Sequence, residues 1–107
     1  MAEGPPEAGA RALLTFLEAE FAGEDVTRLP TPPAGQLPAD AVYFRIEGDQ
    51  GLVGTVGAPP EFLGSESTTA LVERLHRDDL AGAIRRAGAQ CCVMLASGAR
   101  PTALPLA

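Results

Sequence analysis

The sequence predicts an α+β domain of element order α-β-β-α(α)-β-β, with a mainly antiparallel sheet of about four strands and helices on one face. Apolar residues recur at helical spacing in residues 7–22 and again in residues 65–87. Apolar and polar residues alternate on both sides of a turn in residues 41–57, which is typical of a β-hairpin. An unbroken apolar run at residues 90–96 indicates a strand that is covered on both faces.

Length and composition set bounds on the architecture. The 107 residues are enough for one domain, and we expect residues 7–107 to form it behind a flexible tail of residues 1–6. Only 5% of the residues are aromatic and none is tryptophan, so aliphatic side chains must form most of the core. All eight basic residues are arginine, a usage that is typical of GC-rich bacterial genomes.

The net charge of −6 disfavours nucleic acid and anionic membranes as partners, because both repel an acidic surface. The first residues lack the basic and apolar segments of a signal peptide. No apolar stretch approaches the roughly 20 residues of a membrane-spanning helix. We therefore expect a cytoplasmic protein whose thiols stay reduced.

The first helix is predicted over residues 7–22, and Gly23 is a common type of helix stop. Its buried stripe consists of Ala10, Leu13, Leu14, Leu17 and Phe21. Residues 28–40, RLPTPPAGQLPAD, then contain four prolines, which disfavour regular hydrogen-bonded structure. We interpret this segment as a stiff surface connector, and a Pro-Xaa-Xaa-Pro ligand for another protein is the alternative.

Side chains alternate between the two faces of the predicted hairpin, whose turn is GDQG at residues 48–51. One face receives Val42, Phe44, Ile46, Leu52, Gly54 and Val56, and the other receives Tyr43 and Val53. A glycine inside a strand indicates the close approach of a neighbouring element. The glycines of this strand do not lead into a helix, so they do not match a phosphate-binding loop. A small-ligand site on this strand is nevertheless one alternative function.

Residues 65–87 contain two apolar stripes that point in different directions at roughly 100° per residue, so one straight helix cannot bury both. The stripes are Leu71, Val72, Leu75 and Leu80, Ala83, Ile84, Ala87. We predict two helices that meet near residues 76–78, with Ser65 or Ser67 capping the first and Asp78 capping the second. Gly88 ends the second helix, and Pro105 places the last strand at a sheet edge or ends it early.

Cys91 and Cys92 lie side by side in the apolar strand of residues 90–96. Neighbouring side chains of a strand point to opposite faces, and their Cα atoms are about 3.8 Å apart, too close for ordinary disulfide geometry. A zinc site needs more ligands than two adjacent cysteines and one histidine provide, so neither a metal nor another cofactor is expected. Free cysteines are usually buried, and we interpret both as packing residues, with thiol sensing as the alternative.

His76 is the only histidine, and a Cys91 or Cys92 nucleophile with His76 as base is the smallest catalytic arrangement available. Its predicted position at a helix end favours a solvent-facing role instead. Basic residues are concentrated in one segment, as Arg74, Arg77, Arg85 and Arg86. These arginines are candidates for contact with an anion or an acidic partner, although acidic neighbours also fit a solvated helix face.

We expect a small non-catalytic binding or regulatory module that acts through protein–protein contacts and forms a homodimer. The reason is the strand of residues 90–96, which is apolar on the sheet face that the helices leave uncovered. Either a second copy of the chain or the connector of residues 28–40 covers this face. The candidate contact residues are Tyr43, Val53, Phe62, Leu63, Cys92 and Met94. Phe62 and Leu63 also fit a small apolar cluster beneath their own loop, and a thiol-based sensor or Cys/His enzyme is the alternative function.

Overall fold

In the computed structural model, which describes residues 4–106, four helices pack on one face of a five-stranded mixed sheet. The helices are α1 (Pro5–Glu20), α2 (Pro60–Leu63), α3 (Thr68–Arg77) and α4 (Leu80–Ala87). The strands are β1 (Asp25–Leu29), β2 (Val42–Gly48), β3 (Gly51–Ala58), β4 (Cys91–Ala96) and β5 (Ala99–Pro105). The predicted α+β class and the mainly antiparallel sheet are confirmed.

The strands lie in the sheet in chain order, β1-β2-β3-β4-β5. Neighbouring strands are antiparallel except β3 and β4, which are parallel and are joined by the crossover of α2, α3 and α4. A parallel pair needs such a long connection, whereas β2 and β3 need only a tight turn. β5 lies at one edge and ends at Pro105, as the sequence predicts.

Strand β1 was not predicted. Its five residues, DVTRL, precede and overlap the Pro-rich segment, and at an edge they show no strong apolar alternation. β1 pairs with β2 from Asp25 opposite Glu47 to Leu29 opposite Tyr43. The irregular connector therefore begins at Pro30, because backbone pairing with β2 continues as far as Leu29.

Helix α1 begins at Pro5, two residues before the predicted start. Proline is favoured in the first turn of a helix because its missing N–H would have no partner there. The predicted tail of residues 1–6 therefore overlaps the first turn of α1 at Pro5 and Pro6, and its residues 1–3 lie outside the described residues. The short helix α2 was also predicted as loop, and it too starts with a proline, at Pro60.

The main core lies between the helices and the sheet. It contains α1 residues Leu13, Leu17 and Phe21, the α2 residues Phe62 and Leu63, α3 and α4 residues Leu71, Leu75, Leu80 and Ile84, and sheet residues Phe44, Ile46, Val56, Val93 and Leu95. Gly54 lets α4 approach β3, since a Cβ at this position would lie 2.6 Å from Ile84 Cγ2. The close approach predicted for this glycine is thus confirmed.

A second, smaller core lies on the opposite face of the sheet, where the Pro-rich connector crosses it. Leu37 of the connector packs with Tyr43 and Cys92, and all three side chains are buried. The Tyr43 hydroxyl donates to the Pro38 carbonyl at 2.7 Å, and Gln36 Nε2 donates to the Pro105 carbonyl at 2.9 Å. The connector therefore covers the part of this face around Tyr43 and Cys92, which was one of the two covers considered from the sequence.

An irregularity in the β2–β3 pairing reverses two predicted side-chain directions. Ile46 pairs with Gly54, but Glu47 pairs with Leu52, so Val53 is the extra residue of a bulge. Leu52 consequently lies on the connector side, where 36% of it is exposed, and Val53 packs against the main core. The prediction from simple alternation was wrong for both residues, because a bulge shifts the alternation by one.

Helices α3 and α4 are separate, as their apolar stripes predict, and Ser67 caps α3 by accepting from the Ala70 N–H at 3.2 Å. The cap of α4 is Asp79 instead of Asp78. Asp79 adopts a left-handed conformation with φ of 51° and accepts from the Gly82 N–H at 3.3 Å. Asp78 ends α3, where its carboxylate lies 3.7 Å from Arg74 Nε.

Candidate binding groove

An open groove of about 770 Å³ runs between α1 and α3 on the outside of the helical layer. Its α1 wall consists of Ala8, Arg11, Ala12, Thr15, Phe16, Ala19 and Glu20, and its α3 wall consists of Thr68, Thr69, Val72, Glu73 and His76. The volume is in the range of small-molecule and peptide sites, which span roughly 300–1,000 Å³. The groove is therefore large enough to receive several apolar side chains.

The groove forms because α1 carries a second apolar stripe beside its core stripe. Ala8, Ala12 and Ala19 lie on this stripe, and their side chains end at Cβ, so they leave open space where larger residues would meet α3. Phe16 lies between them, is 5% exposed and provides the floor together with Val72. The groove was not predicted from the sequence. Phe16 was the available signal, because it is a large apolar residue outside the predicted core stripe.

The two walls meet at Phe16 and His76. Their rings are in an edge arrangement, with the centroids 4.8 Å apart and the ring planes at 76°. His76 is exposed and lines the groove near the end of α3. His76 is therefore exposed near a helix end, as predicted, and it also makes an aromatic contact with Phe16.

The cysteines occupy different environments. Cys92 is fully buried in the second core, and its Sγ lies 3.9 Å from Met94 Sδ. Burial, together with a smaller effect of the neighbouring Cys91, raises the pKa of the Cys92 thiol to about 12. Cys91 is half-buried, and both thiols are free. A thiol with a strongly raised pKa is a poor nucleophile at neutral pH, so the environment of Cys92 fits a packing role.

The structure does not assemble the Cys/His arrangement considered from the sequence. Cys92 lies on the connector side of the sheet, whereas His76 belongs to α3 on the helix side. Neither cysteine lines the groove that His76 lines. Within residues 4–106, no group of three or more His, Cys, Asp and Glu side chains is arranged to hold a metal ion.

Three of the four candidate anion-binding arginines make contacts within the chain. Arg74 donates to the carbonyl oxygens of Ala96 and Ala99 at 3.0 and 3.3 Å, and its guanidinium lies 5.1 Å from the Phe62 ring centroid. Arg85 donates to the Glu20 carbonyl at 3.1 Å and lies over Phe21. Arg86 pairs with Asp79 at 3.3 Å. Arg74 and Arg85 thus join different elements of the fold, and Arg86 contacts the cap residue of its own helix.

Arg77 differs from the other three candidates, because it is exposed and no residue of the described chain pairs with it. It borders a small concavity of about 320 Å³ together with Arg74 and Arg100. Glu66 and Asp78 line the same concavity, so opposite charges offset most of its positive charge.

The candidate interface residues are mostly inside the single chain. Tyr43, Phe62, Leu63 and Cys92 are each at most 2% exposed. Phe62 and Leu63 pack with α1 in the main core and not in a separate small cluster beneath their own loop. Val53 and Met94 are half-buried, Val53 against the main core and Met94 against the second. In this single chain, none of the six projects as a large exposed apolar residue.

At Gly54 and Gly57, the two glycines inside β3, neighbouring side chains occupy the space that a Cβ would take. A Cβ at Gly57 would lie 2.5 Å from Tyr43 Cε1 and 2.6 Å from Met94 Sδ. Ile84 fills the corresponding space at Gly54. The glycines therefore serve close packing on both faces of the sheet.

Comparison with known proteins adds no functional information. No protein-family model matches the sequence, and neither curated proteins nor solved structures give a match. No helix in the described part of the chain is long and apolar enough to cross a membrane. Any functional conclusion must therefore come from the geometry of the chain itself.

Proposed function

We propose that this protein is a non-catalytic binding module whose α1–α3 groove receives an amphipathic helix of a partner protein. The observation that carries the proposal is the groove itself, with Phe16 and Val72 as floor and alanines along one wall. A helix laid into an apolar groove between two helices is a recurrent mode of peptide recognition. The alanines of the α1 wall suit this mode because they let the backbone of a third helix come close.

A second copy of the chain is a poorer occupant. A concave apolar site needs a projecting apolar residue, and among residues 4–106 Leu52 is the only large one with substantial exposure. Leu52 lies across the sheet from the groove, and two chains of charge −6 also repel each other. These observations favour a different protein as the partner.

Homodimerisation through the sheet stays a prediction with weaker support. The connector occupies part of the sheet face that was expected to form the dimer contact. Sedimentation at micromolar concentration tests it. A species of about 11 kDa would contradict the dimer, whereas a species of twice that mass would support it.

A single tryptophan can test the binding proposal, since the natural chain has none. In Phe16→Trp the reporter sits on the groove floor, and in the control Ala22→Trp it sits at an exposed position beyond α1. We expect an amphipathic peptide with leucines at helical spacing to change the emission of Phe16→Trp saturably. A scrambled peptide, or the Ala22→Trp control, should give no such change.

Two outcomes would overturn the proposal. If the leucine peptide and its scrambled form behave alike, the groove does not recognise a helix. If dodecanoate saturates Phe16→Trp and the peptide does not, the groove is a small-ligand site. Ala19→Gln, which adds bulk to an exposed position of the groove wall, should weaken peptide binding if the groove is the site.

A further inference from the structure

We infer that the partner helix is basic at one end, and that Glu20 and Glu73 select it. This inference rests on the proposed function, because it specifies the chemistry of the occupant of the same groove. Both carboxylates line the groove, one on each wall, and both residues are exposed. A lysine or arginine of a bound helix would therefore meet a negative charge on either wall.

The carboxylates of Glu20 and Glu73 are not neutralised by the chain itself. Within residues 4–106, neither carboxylate forms an ion pair or a side-chain hydrogen bond. Arg85 lies near Glu20 but donates to its backbone carbonyl and packs on Phe21, and it does not line the groove. His76 lines the same end, where its ring contacts Phe16.

The charged residues are distributed along the length of the groove. Arg11 lies nine positions before Glu20 on α1, a distance of about 13 Å at 1.5 Å per residue. α1 and α3 run in the same direction, since Gly9 lies against Leu63 ahead of α3 and Phe16 lies against His76 near its end. With Phe16 against His76, Glu73 lies at about the level of residue 13 of α1, and Glu20 lies beyond the two rings. The two carboxylates therefore extend from the middle of the groove to the end at Glu20, and this half of the groove attracts a cationic side chain.

The net negative charge of the whole chain also favours a basic partner. With 14 acidic and eight basic residues, the surface attracts a cationic partner at long range and repels an acidic one. Most arginines are also engaged internally, as in the pairs Arg28–Glu7, Arg45–Glu47 and Arg86–Asp79. Electrostatic attraction of this type accelerates association and weakens as salt is added.

Three peptides with the same leucine stripe test this inference. They carry two lysines, two glutamines or two glutamates at one end, and their binding is measured by Phe16→Trp emission. We expect the lysine peptide to bind about three- to tenfold more tightly than the glutamine peptide at low salt, with the glutamate peptide weakest. The preference should shrink in 0.5 M salt.

Variants of the groove acids identify the selecting residues. Glu20→Gln and Glu73→Gln, each in the Phe16→Trp background, should reduce the preference for lysine. The matched control Glu18→Gln removes an exposed α1 carboxylate outside the groove and should leave the preference unchanged apart from a small long-range effect. Equal reduction in all three variants would overturn the inference, because net charge alone would then explain the selectivity.

The result also separates this inference from the proposed function. If all three peptides bind equally, the groove binds helices but the acidic pair does not select them, and the inference is wrong. If the glutamate peptide binds best, the inference is likewise wrong. If none binds, the proposed function itself is contradicted and the inference falls with it.

Discussion

The ring of Phe16 in α1 meets the ring of His76 in α3 edge-on, with centroids 4.8 Å apart. This contact joins the two walls of the groove at its floor. Edge contacts between rings contribute roughly 0.5–1.5 kcal/mol beyond the area they bury, and exposure of His76 places this one at the lower end.

We therefore expect His76→Gln to lower the free energy of unfolding by about 0.5 kcal/mol. Glutamine is preferred to alanine because the high helix propensity of alanine would mask the loss. His76→Phe, which keeps a ring beside Phe16, should retain most of the stability. Urea denaturation measures both variants, and equal stability of His76→Gln and the natural protein would show that the ring contact contributes nothing.

Gly9 marks the closest approach of α1 to α2. A Cβ at Gly9 would overlap the carbonyl group of Leu63, so neither helix can keep its position in Gly9→Ala. We expect this variant to lose about 1–3 kcal/mol of stability despite the better helix propensity of alanine. Gly35→Ala is the matched control, because nothing lies within 4 Å of its added Cβ. A neutral Gly9→Ala would contradict the packing of α1 on α2.

Asp79 is the residue that starts α4. We expect Asp79→Ala to cost about 1–2 kcal/mol, because it loses the cap and puts alanine at a φ of 51°. Asp79→Asn should be milder, since asparagine both caps and tolerates this conformation. Asp78→Ala should cost less than Asp79→Ala, as it removes only a partly exposed ion pair with Arg74. Thermal unfolding of the three variants tests this order, and the reverse order would restore Asp78 as the cap.

The pair formed by Glu7 and Arg28 ties α1 to the edge strand β1. The hydrogen bond from Arg28 lowers the pKa of Glu7 below its ordinary value of 4.5 and raises that of Arg28. Since the folded-state pKa of Glu7 is depressed, its contribution is present above pH 4.5 and is lost as the pH falls through the folded value. The exposure of both side chains limits it to a few tenths of a kcal/mol.

We accordingly expect the natural protein to be slightly more stable than Glu7→Gln at pH 7, with the difference shrinking as the pH falls below 4.5. Parallel denaturation curves at pH 7 and at acidic pH measure it. A difference that grew as the pH fell would have the wrong sign and would refute the assigned pair.

The second core protects Cys92 from reagents. In Cys91→Ser, which leaves Cys92 as the only thiol, we expect a bulky disulfide reagent to react slowly until denaturant is added. Leu37→Ala should accelerate this reaction and cost about 2–3 kcal/mol, because Leu37 is the buried connector residue above Cys92. Rapid labelling of Cys92 in the native protein would contradict the position of the connector.

The sequence predicts most of the helices and strands of this fold, because local residue patterns define them. The apolar stripes that contain Leu75 and Leu80 point in different directions, which separates α3 from α4. The apolar run at Cys91–Ala96 marks β4. The bulge at Val53 is different, because one extra residue in the β2–β3 pairing depends on the strand partner and not on local pattern. β1 was missed for the same reason, as its pairing with β2 defines it.

The site was harder to predict than the fold. Cys91, Cys92 and His76 stand out in the sequence by chemical type, yet the structure separates the buried Cys92 from His76 by the sheet. The groove depends instead on alanines, whose methyl side chains carry no reactive or polar group that would indicate a site. It also depends on the relative position of two helices that are distant in sequence. Only Phe16, outside the predicted core stripe, indicated a second apolar surface on α1.

The most direct test of the groove as the binding site is to map a bound helix by backbone amide chemical shifts. The natural protein, labelled with 15N, is titrated with the lysine-ended leucine peptide. We predict that the largest shifts fall on Ala12, Ala19, Val72 and Glu73, with the connector around Leu37 unaffected. Shifts confined to the connector, or centred on Arg77 and Arg100, would place the binding surface elsewhere and contradict the account.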